Sequence, residues 1–241
     1  MLCCQMRWDT QHPAPTHPAM RASSTIPTAS SVHSWLQAGI ERNWSRVGPR
    51  SIVLNNLRQY QVVVTVQERS SGLPFRLEHV SDKQCKQKNN ATSIVFFGQD
   101  PIAYYNEGCA REQFGAGWQR QADASFGEMA AHEFGHHVLR LAAPAGAPIL
   151  SFGASQLTQG QSWSWTHKNT STLTQEALDT SPTYPATGDW DIMLFYKGTP
   201  PRGAFGRSFA SEDDVRRLVG LAKAKRARGG AFACPLEQQQ N

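Results

Sequence analysis

The feature that most constrains this chain is a long helical pattern, FGEMAAHEFGHHVLRLA, which begins at Phe126 and is broken by Pro144 and Gly146. Ser125 just before it and Glu128 in its first turn have the S-x-x-E spacing of a capping box, which predicts that the helix begins there. Apolar residues recur at helical spacing through the pattern and predict one buried face. These residues are Ala130, Phe134, Val138 and Leu141. The pattern therefore predicts a central helix around which the rest of the chain packs.

This predicted helix carries the sequence HEFGH, in which His132 and His136 are four positions apart. Histidines at this spacing lie one above the other on a helix, so both imidazoles can reach a single metal ion, and neutral imidazole nitrogens suit zinc. Glu133 can take a proton from a metal-bound water, whose pKa the ion lowers to about 7, and pass it to a departing amine. The pattern therefore predicts one zinc ion and a hydrolase that cleaves peptide bonds.

Flanking patterns predict the other elements. Val32, Leu36 and Ile40 recur at helical spacing and predict an N-terminal amphipathic helix. Short β-branched and aromatic runs predict a small mixed or antiparallel sheet, with strands at residues 62–66, 75–80, 93–97 and 102–105. A last helix is predicted from Ser211, with acidic residues in its first turn and basic residues in its last. The fold class expected from these elements is α+β.

Composition sets the expected domain limits. Residues 1–30 are rich in Pro, Ser, Thr and Ala, which predicts a disordered tail or linker. We expect the metallopeptidase domain over residues 31–230 and a flexible C-terminus over 231–241. The five cysteines form no CxxC pair, so a cysteine metal site is not expected. Cys85 and Cys109 are either bridged or two free thiols, and the sequence leaves both readings open.

HEFGH on a helix, the later segment DIMLFYK at residues 191–197, and the capped helix SEDDVRRLVGLA resemble the metzincin branch of the zincin metallopeptidases over residues 90–225. The resemblance implies a metzincin-like arrangement of small sheet, active-site helix and C-terminal helix. It implies that Met193 forms a turn beneath the metal without binding it. It also implies Tyr196 as a transition-state stabiliser, although in the family that tyrosine stands two positions past the methionine, where this chain has Phe195.

The chain departs from the metzincin pattern directly after HEFGH. Family members continue HExxHxxGxxH or HExxHxxGxxD, whereas this chain has Leu139 and Ala142 at the glycine and third-ligand positions. Because a catalytic zinc normally keeps three protein ligands, the third must come from further along the chain. His167 is the first candidate, as the only histidine downstream of the helix, and Glu176 is the main alternative because the gluzincin branch takes a glutamate from a later helix. The weaker candidates are Asp189 and Asp191.

Charge and hydropathy exclude several function classes. The formal charge is only +5, and part of the excess lies at the end of the last helix, where the helix dipole accounts for it, so no nucleic-acid partner is expected. No apolar stretch approaches the roughly 18 residues of a membrane span, so no membrane partner is expected either. The N-terminus lacks the pattern of a signal peptide. We expect a protein that is cytoplasmic before export and is secreted or delivered by a route that needs no such signal.

The layout GIERNWSR, WSWTH, YPATGDWDIM and SEDDVRRL is similar to metallopeptidase domains at the C-termini of bacterial polymorphic toxins and secretion-system effectors. This resemblance implies a protein or peptide substrate and an immunity or inhibitor protein as partner. Two alternatives stay open. One is a non-catalytic, zinc-stabilised peptide-binding module, which would have a closed four-ligand site. The other is a zinc amidase that acts on cell-wall peptides.

Overall fold

The described part of the chain contains three α-helices, eight strands and two short 3₁₀ helices, Gly48–Arg50 and Phe205–Arg207. A computed structural model describes residues 2–9, 28–54, 57–69, 73–79, 102–105, 118–141, 181–198, 201 and 205–228. The helices are α1 (Ala29–Trp44), α2 (Trp118–Leu141) and α3 (Glu212–Arg228). The strands are β1 (Leu2–Asp9), β2 (Ile52–Val53), β3 (Gln59–Tyr60), β4 (Val66–Glu68), β5 (Leu73–His79), β6 (Ile102–Tyr105), β7 (Trp190–Asp191) and β8 (Ser208–Phe209). Within these ranges, no helix has the length and apolar character needed to cross a membrane.

Helix α1 forms where the apolar spacing predicts it. Its N-cap is Thr28, whose side-chain oxygen accepts a hydrogen bond from the backbone N–H of Ser31 at 3.1 Å. Its buried face consists of Val32, Leu36, Ile40 and Trp44, all fully buried. Burial of each such side chain stabilises the fold by about 1.5–3 kcal/mol. This face, more than intrinsic helix propensity, therefore holds α1 in place.

Helices α1 and α2 approach most closely at a pair of glycines. A Cβ atom on Gly39 would overlap the backbone of Gly127, and a Cβ atom on Gly127 would press on the backbone of α1. Further along both helices, Trp44 Nε1 donates a hydrogen bond to the carbonyl oxygen of Ala131 at 2.9 Å. The Trp44 ring packs edge-on against Phe134, with centroids 5.0 Å apart. These contacts fix the position of α2 in the centre of the fold.

The main sheet has the strand order β4-β1-β5-β6, and its neighbouring pairs are parallel. Phe75 and Leu77 of β5 are buried in the same core as α1 and α2. An antiparallel pair, β2–β3, and a parallel pair, β7–β8, lie outside this sheet. The α+β class with a small sheet is therefore confirmed, whereas the strand pairs of the main sheet are all parallel and not mixed or antiparallel as predicted.

The N-terminal strand corrects the predicted tail at residues 2–9. Strand β1 lies inside the sheet, pairing with β4 through Leu2–Cys4 and with β5 through Cys4–Asp9. The apolar residues of this strand alternate with polar ones, which is the period of a strand. They are Leu2, Cys4, Met6 and Trp8. The Pro-, Ser- and Thr-rich composition of the first thirty residues masked this short local signal.

Helix α2 begins earlier than its predicted cap. It runs from Trp118, so Ser125 and Glu128 lie inside the helix and do not form a capping box. Residues three apart are neighbours along any helix, so the S-x-x-E spacing is compatible with a helix interior as well as with a helix start. The predicted end before Pro144 agrees with the observed end at Leu141.

Helix α3 begins where predicted. The Ser211 hydroxyl oxygen accepts the backbone N–H of Asp214 at 3.2 Å, which caps the helix. Its first turn carries Glu212, Asp213 and Asp214, which favour the positive end of the helix dipole. Asp214 is fully buried and pairs with Arg217 at 3.1 Å. This end of α3 is therefore set by local polar contacts that the sequence displays.

We expect Gly39→Ala to lower the free energy of unfolding by about 2–3 kcal/mol, because the added methyl group has no room against the backbone of Gly127. Gly220→Ala is the control, since Gly220 is exposed on α3 and an added Cβ would meet nothing within 4 Å. The control should stabilise the protein by up to about 1 kcal/mol. Urea denaturation measures both variants, and equal effects would contradict the close helix contact.

Candidate metal centre

Helix α2 holds His132 and His136 one turn apart, with Glu133 beside the first. Glu133 is 3% exposed and His136 is 4% exposed, while His132 is partly buried. Burying imidazoles and a carboxylate costs free energy unless they are paired or bind a ligand. A central, largely buried helix that keeps three such residues together therefore points to a role beyond packing.

The two imidazole rings face each other through their Nε2 atoms. The Nε2–Nε2 distance between His132 and His136 is 3.1 Å, and the rings are perpendicular with centroids 4.7 Å apart. Two nitrogen ligands of a tetrahedral zinc ion, each about 2.0–2.1 Å from the metal, lie about 3.3 Å from each other. The separation fits a shared zinc ion and, without metal, an N–H···N hydrogen bond.

A backbone carbonyl selects the tautomer of His132. The Nδ1 atom of His132 lies 2.6 Å from the carbonyl oxygen of Ile192. A carbonyl can only accept, so Nδ1 carries the proton and Nε2 of the neutral ring keeps its lone pair. Burial lowers the pKa of His132, and the hydrogen bond to Ile192 acts in the opposite direction. In this tautomer the Nε2 lone pair of His132 is directed toward His136, and a metal ligand requires such a lone pair.

The side chain of Met193 lies directly against α2 at Gly135. A Cβ atom on Gly135 would overlap the Met193 sulfur and would lie 3.0 Å from Cζ2 of Trp44. Met193 is fully buried, and its N–H donates to Asp191 Oδ1 at 2.9 Å within a tight turn. The glycine of HEFGH therefore gives the thioether access to the helix backbone. Gly135 lies between His132 and His136 along α2, and the support of a metal centre by Met193 stays a prediction.

Tyr196 belongs to the same turn. Its hydroxyl oxygen accepts the backbone N–H of Asp191 at 3.0 Å, and its ring stacks on Tyr184 with centroids 4.7 Å apart. Burial raises the pKa of Tyr196. The contacts of the hydroxyl are those of a group that stabilises the turn, and its action on a transition state stays a prediction.

The weaker candidate ligands have other partners. Asp189 pairs with Arg50 through two hydrogen bonds of 2.5 and 3.0 Å, and this bonding lowers the pKa of Asp189. Asp191 accepts the Met193 N–H. Within the residues that the structure describes, no group of three or more His, Cys, Asp or Glu side chains is arranged to hold a metal ion. Outside the described residues lie His167, Glu176, Cys85, Cys109 and the predicted strand at 93–97.

Glu128 is a partly buried residue of α2 whose environment the sequence did not reveal. It lies one helical turn before His132, near Ser208 of β8 and Arg42 of α1. Burial raises the pKa of Glu128 to about 8, while the charge of Arg42 and the Ser208 hydroxyl lower it. Burial raises the pKa of Tyr184, and the charge of Glu128 raises it further. In the sequence, only the four-residue spacing between Glu128 and His132 indicated that Glu128 shares a helix face with the histidines.

Comparison of the chain with protein-family models, with curated proteins and with solved structures finds no match. Its function must therefore be inferred from the chemistry of its own residues. Three features are relevant to the function. They are the facing Nε2 atoms of His132 and His136, the neighbouring Glu133, and the turn at residues 191–194, whose Ile192 carbonyl oxygen contacts Nδ1 of His132.

A double-mutant cycle tests the contact between Gly135 and Met193. We expect Gly135→Ala to cost about 1–3 kcal/mol by overpacking and Met193→Ala to cost about 2–5 kcal/mol by leaving a cavity. In the double variant the methyl group added at position 135 fills part of the cavity left by Met193→Ala. Its loss in free energy of unfolding should therefore be smaller, by at least about 1 kcal/mol, than the sum of the two single losses. Chemical denaturation gives the four free energies, and additive losses would contradict the contact.

The stability of the protein should depend on the ionisation of Glu128. The folded state keeps this proton up to about pH 8, whereas the unfolded chain releases it near its ordinary pKa of 4.5. Between these values only the unfolded state ionises, so the free energy of unfolding falls by up to about 1.4 kcal/mol per unit of rising pH. Above about pH 8 the effect levels off.

Glu128→Gln removes the titrating group and keeps the shape of the side chain. The difference in free energy of unfolding between this variant and the wild type should therefore grow from pH 5 to pH 8, in favour of the variant, and then stay constant. Urea denaturation at a series of pH values measures it. A difference that does not change with pH would show that Glu128 is solvated in the folded state.

Proposed function

We propose that this protein is a zinc-dependent metalloendopeptidase. The observation that carries the proposal is the pair of opposed Nε2 atoms of His132 and His136, 3.1 Å apart on one face of α2. The Ile192 carbonyl supports it, because it holds the proton of His132 on Nδ1, so that the Nε2 atom facing His136 carries the lone pair that a metal ligand needs.

The donor set fits zinc. Neutral imidazole nitrogens are common zinc ligands, and a catalytic zinc site keeps three protein ligands and one open position. We assign His132 and His136 as two ligands and propose His167 as the third, with Glu176 as the alternative. When bound, zinc lowers the pKa of a coordinated water to about 7 and polarises the carbonyl group of a substrate.

Glu133 is the proposed general base and acid. It is adjacent to a proposed ligand and only 3% exposed, so its carboxylate is largely shielded from bulk solvent. In this role it takes a proton from the attacking water and returns it to the amine that leaves the cleaved peptide bond. A purely structural zinc site requires no carboxylate at this position, so the retention of Glu133 favours an enzyme over a zinc-stabilised binding module.

The contact of Met193 with Gly135 supports the resemblance to the metzincin branch. From the same resemblance we propose a protein or peptide substrate and a delivered toxin or effector role, with an immunity or inhibitor protein as partner. Such a protein would be cytoplasmic before it is secreted or delivered. Toxicity of the expressed domain that disappears in Glu133→Ala would support this role, and equal toxicity of both would contradict it.

Glu133→Gln separates metal binding from catalysis. We expect wild-type protein to bind one zinc ion and to cleave an unfolded protein substrate, and the variant to keep the zinc but lose about 100- to 10,000-fold in kcat, because only proton transfer is removed. Metal analysis and a peptidase assay measure the two properties. Zinc binding with unchanged activity would exclude Glu133 as the base.

The same assay distinguishes the other functions. Cleavage of cell-wall peptides but not of proteins would identify an amidase, and zinc bound without hydrolysis of either would identify a binding module. Zinc content of His167→Ala and Glu176→Ala identifies the third ligand, since a variant that keeps stoichiometric zinc excludes the residue it replaces. We expect His167→Ala to lose bound zinc and Glu176→Ala to keep it.

A further inference from the structure

Arg207 binds the backbone of the segment that leads into the turn behind the histidines. Its Nε donates to the carbonyl oxygen of Gly188 at 2.5 Å, Nη1 to that of Ala186 at 3.2 Å, and Nη2 to that of Pro185 at 2.9 Å. One guanidinium group thus holds three carbonyl groups within four residues. The planar fork of donors in arginine makes this possible, whereas the single ammonium of a lysine cannot reproduce it.

The same segment has further anchors. The Arg207 guanidinium lies over the ring of Trp190, 5.0 Å from its centroid, and Trp190 is 6% exposed. Arg50 pairs with Asp189 through two hydrogen bonds and lies 3.9 Å from the ring centroid of Phe209. Two arginines from distant parts of the chain therefore hold residues 185–190 against β8.

The position of this segment determines where the Ile192 carbonyl points. Strand β7 follows directly and pairs with β8, and the Ile192 N–H donates to the carbonyl oxygen of Phe209 at 2.9 Å. With its N–H bound to β8, Ile192 presents its carbonyl oxygen to Nδ1 of His132 at 2.6 Å. Arg207 immediately precedes β8, so its hydrogen bonds connect residues 185–188, which lead into β7, to the start of β8.

We propose that Arg207 is a positioning residue of the metal centre, which acts through residues 185–192 to hold the Ile192 carbonyl on His132. The proposal rests on the proposed function, because it assigns His132 as a zinc ligand. Arg207 itself need not touch metal or substrate. Groups that orient a metal-bound histidine from behind commonly account for 10- to 100-fold in metal affinity.

A plain structural role for Arg207 makes a different prediction. If the guanidinium only anchors a surface loop, its loss lowers stability without changing the tautomer of His132 or the affinity for zinc. The proton distribution of the His132 ring, read from imidazole ¹⁵N chemical shifts of metal-free protein, is therefore the readout that a merely structural role would not move.

The experiment compares Arg207→Lys with Arg216→Lys in the full chain. Arg216 is a matched control, because it also donates to a backbone carbonyl, that of Val53 at 2.8 Å, and pairs with Glu212 and Asp213 on α3, away from the turn. We expect Arg207→Lys to raise the Kd for zinc about 10- to 100-fold, measured against a competing chelator, and to reduce the Nδ1–H form of His132. Arg216→Lys should change neither.

Wild-type zinc affinity and an unchanged His132 tautomer in Arg207→Lys would overturn the proposal, as would an equal loss of affinity in both variants. If Arg207→Lys does not fold, Arg207→Gln, which keeps a planar N–H donor, carries the same expectations. Absence of zinc binding by the wild type would contradict the proposed function instead. In that case the tautomer comparison alone decides whether Arg207 positions His132.

Discussion

The contact between Gly39 of α1 and Gly127 of α2 sets the geometry on which the rest of the fold depends. With no side chain on either residue, the two helix backbones touch at this point. The approach lets Trp44 reach the carbonyl oxygen of Ala131 and pack on Phe134. Because the second helix is held along one side by α1, its remaining faces are free to carry the histidine pair and to receive the turn at residues 191–194.

That turn contacts the helix at the histidine pair and fixes the orientation of His132. It contributes a backbone carbonyl to His132 and a thioether to the helix backbone at Gly135, from adjacent residues, Ile192 and Met193. The first contact selects a tautomer, and the second holds the turn against the helix so that the first persists. Both depend on the β7–β8 pairing and on the arginines that fix the preceding segment.

Local signals predicted the helices well and their exact limits less well. Ser211, from which the last helix was predicted, acts as its N-cap, and such a cap depends only on residues within one turn. Thr28 caps α1 in the same way but was not identified from the sequence. The start of α2 was misplaced because Ser125 and Glu128 have the spacing of a cap inside a helix. Strand β1 was missed because its partners, β4 and β5, are distant in the chain and its own alternation is short. The α+β class followed from elements that were individually clear.

For the candidate site, the sequence alone showed which side chains could bind a metal or transfer a proton. It also showed that His132 and His136 share a helix face, because residues four positions apart lie one above the other on a helix. Only tertiary structure decided which nitrogen of His132 carries the proton, since that depends on the backbone carbonyl of a residue 60 positions away in the chain. Every residue has a backbone carbonyl, so the sequence gives no sign of which one makes this contact. The burial of Glu128 and the contact of Met193 with Gly135 were decided in the same way. Each arises where separate segments meet, and the free energy of burial, unlike helix periodicity, depends on what the rest of the chain places nearby.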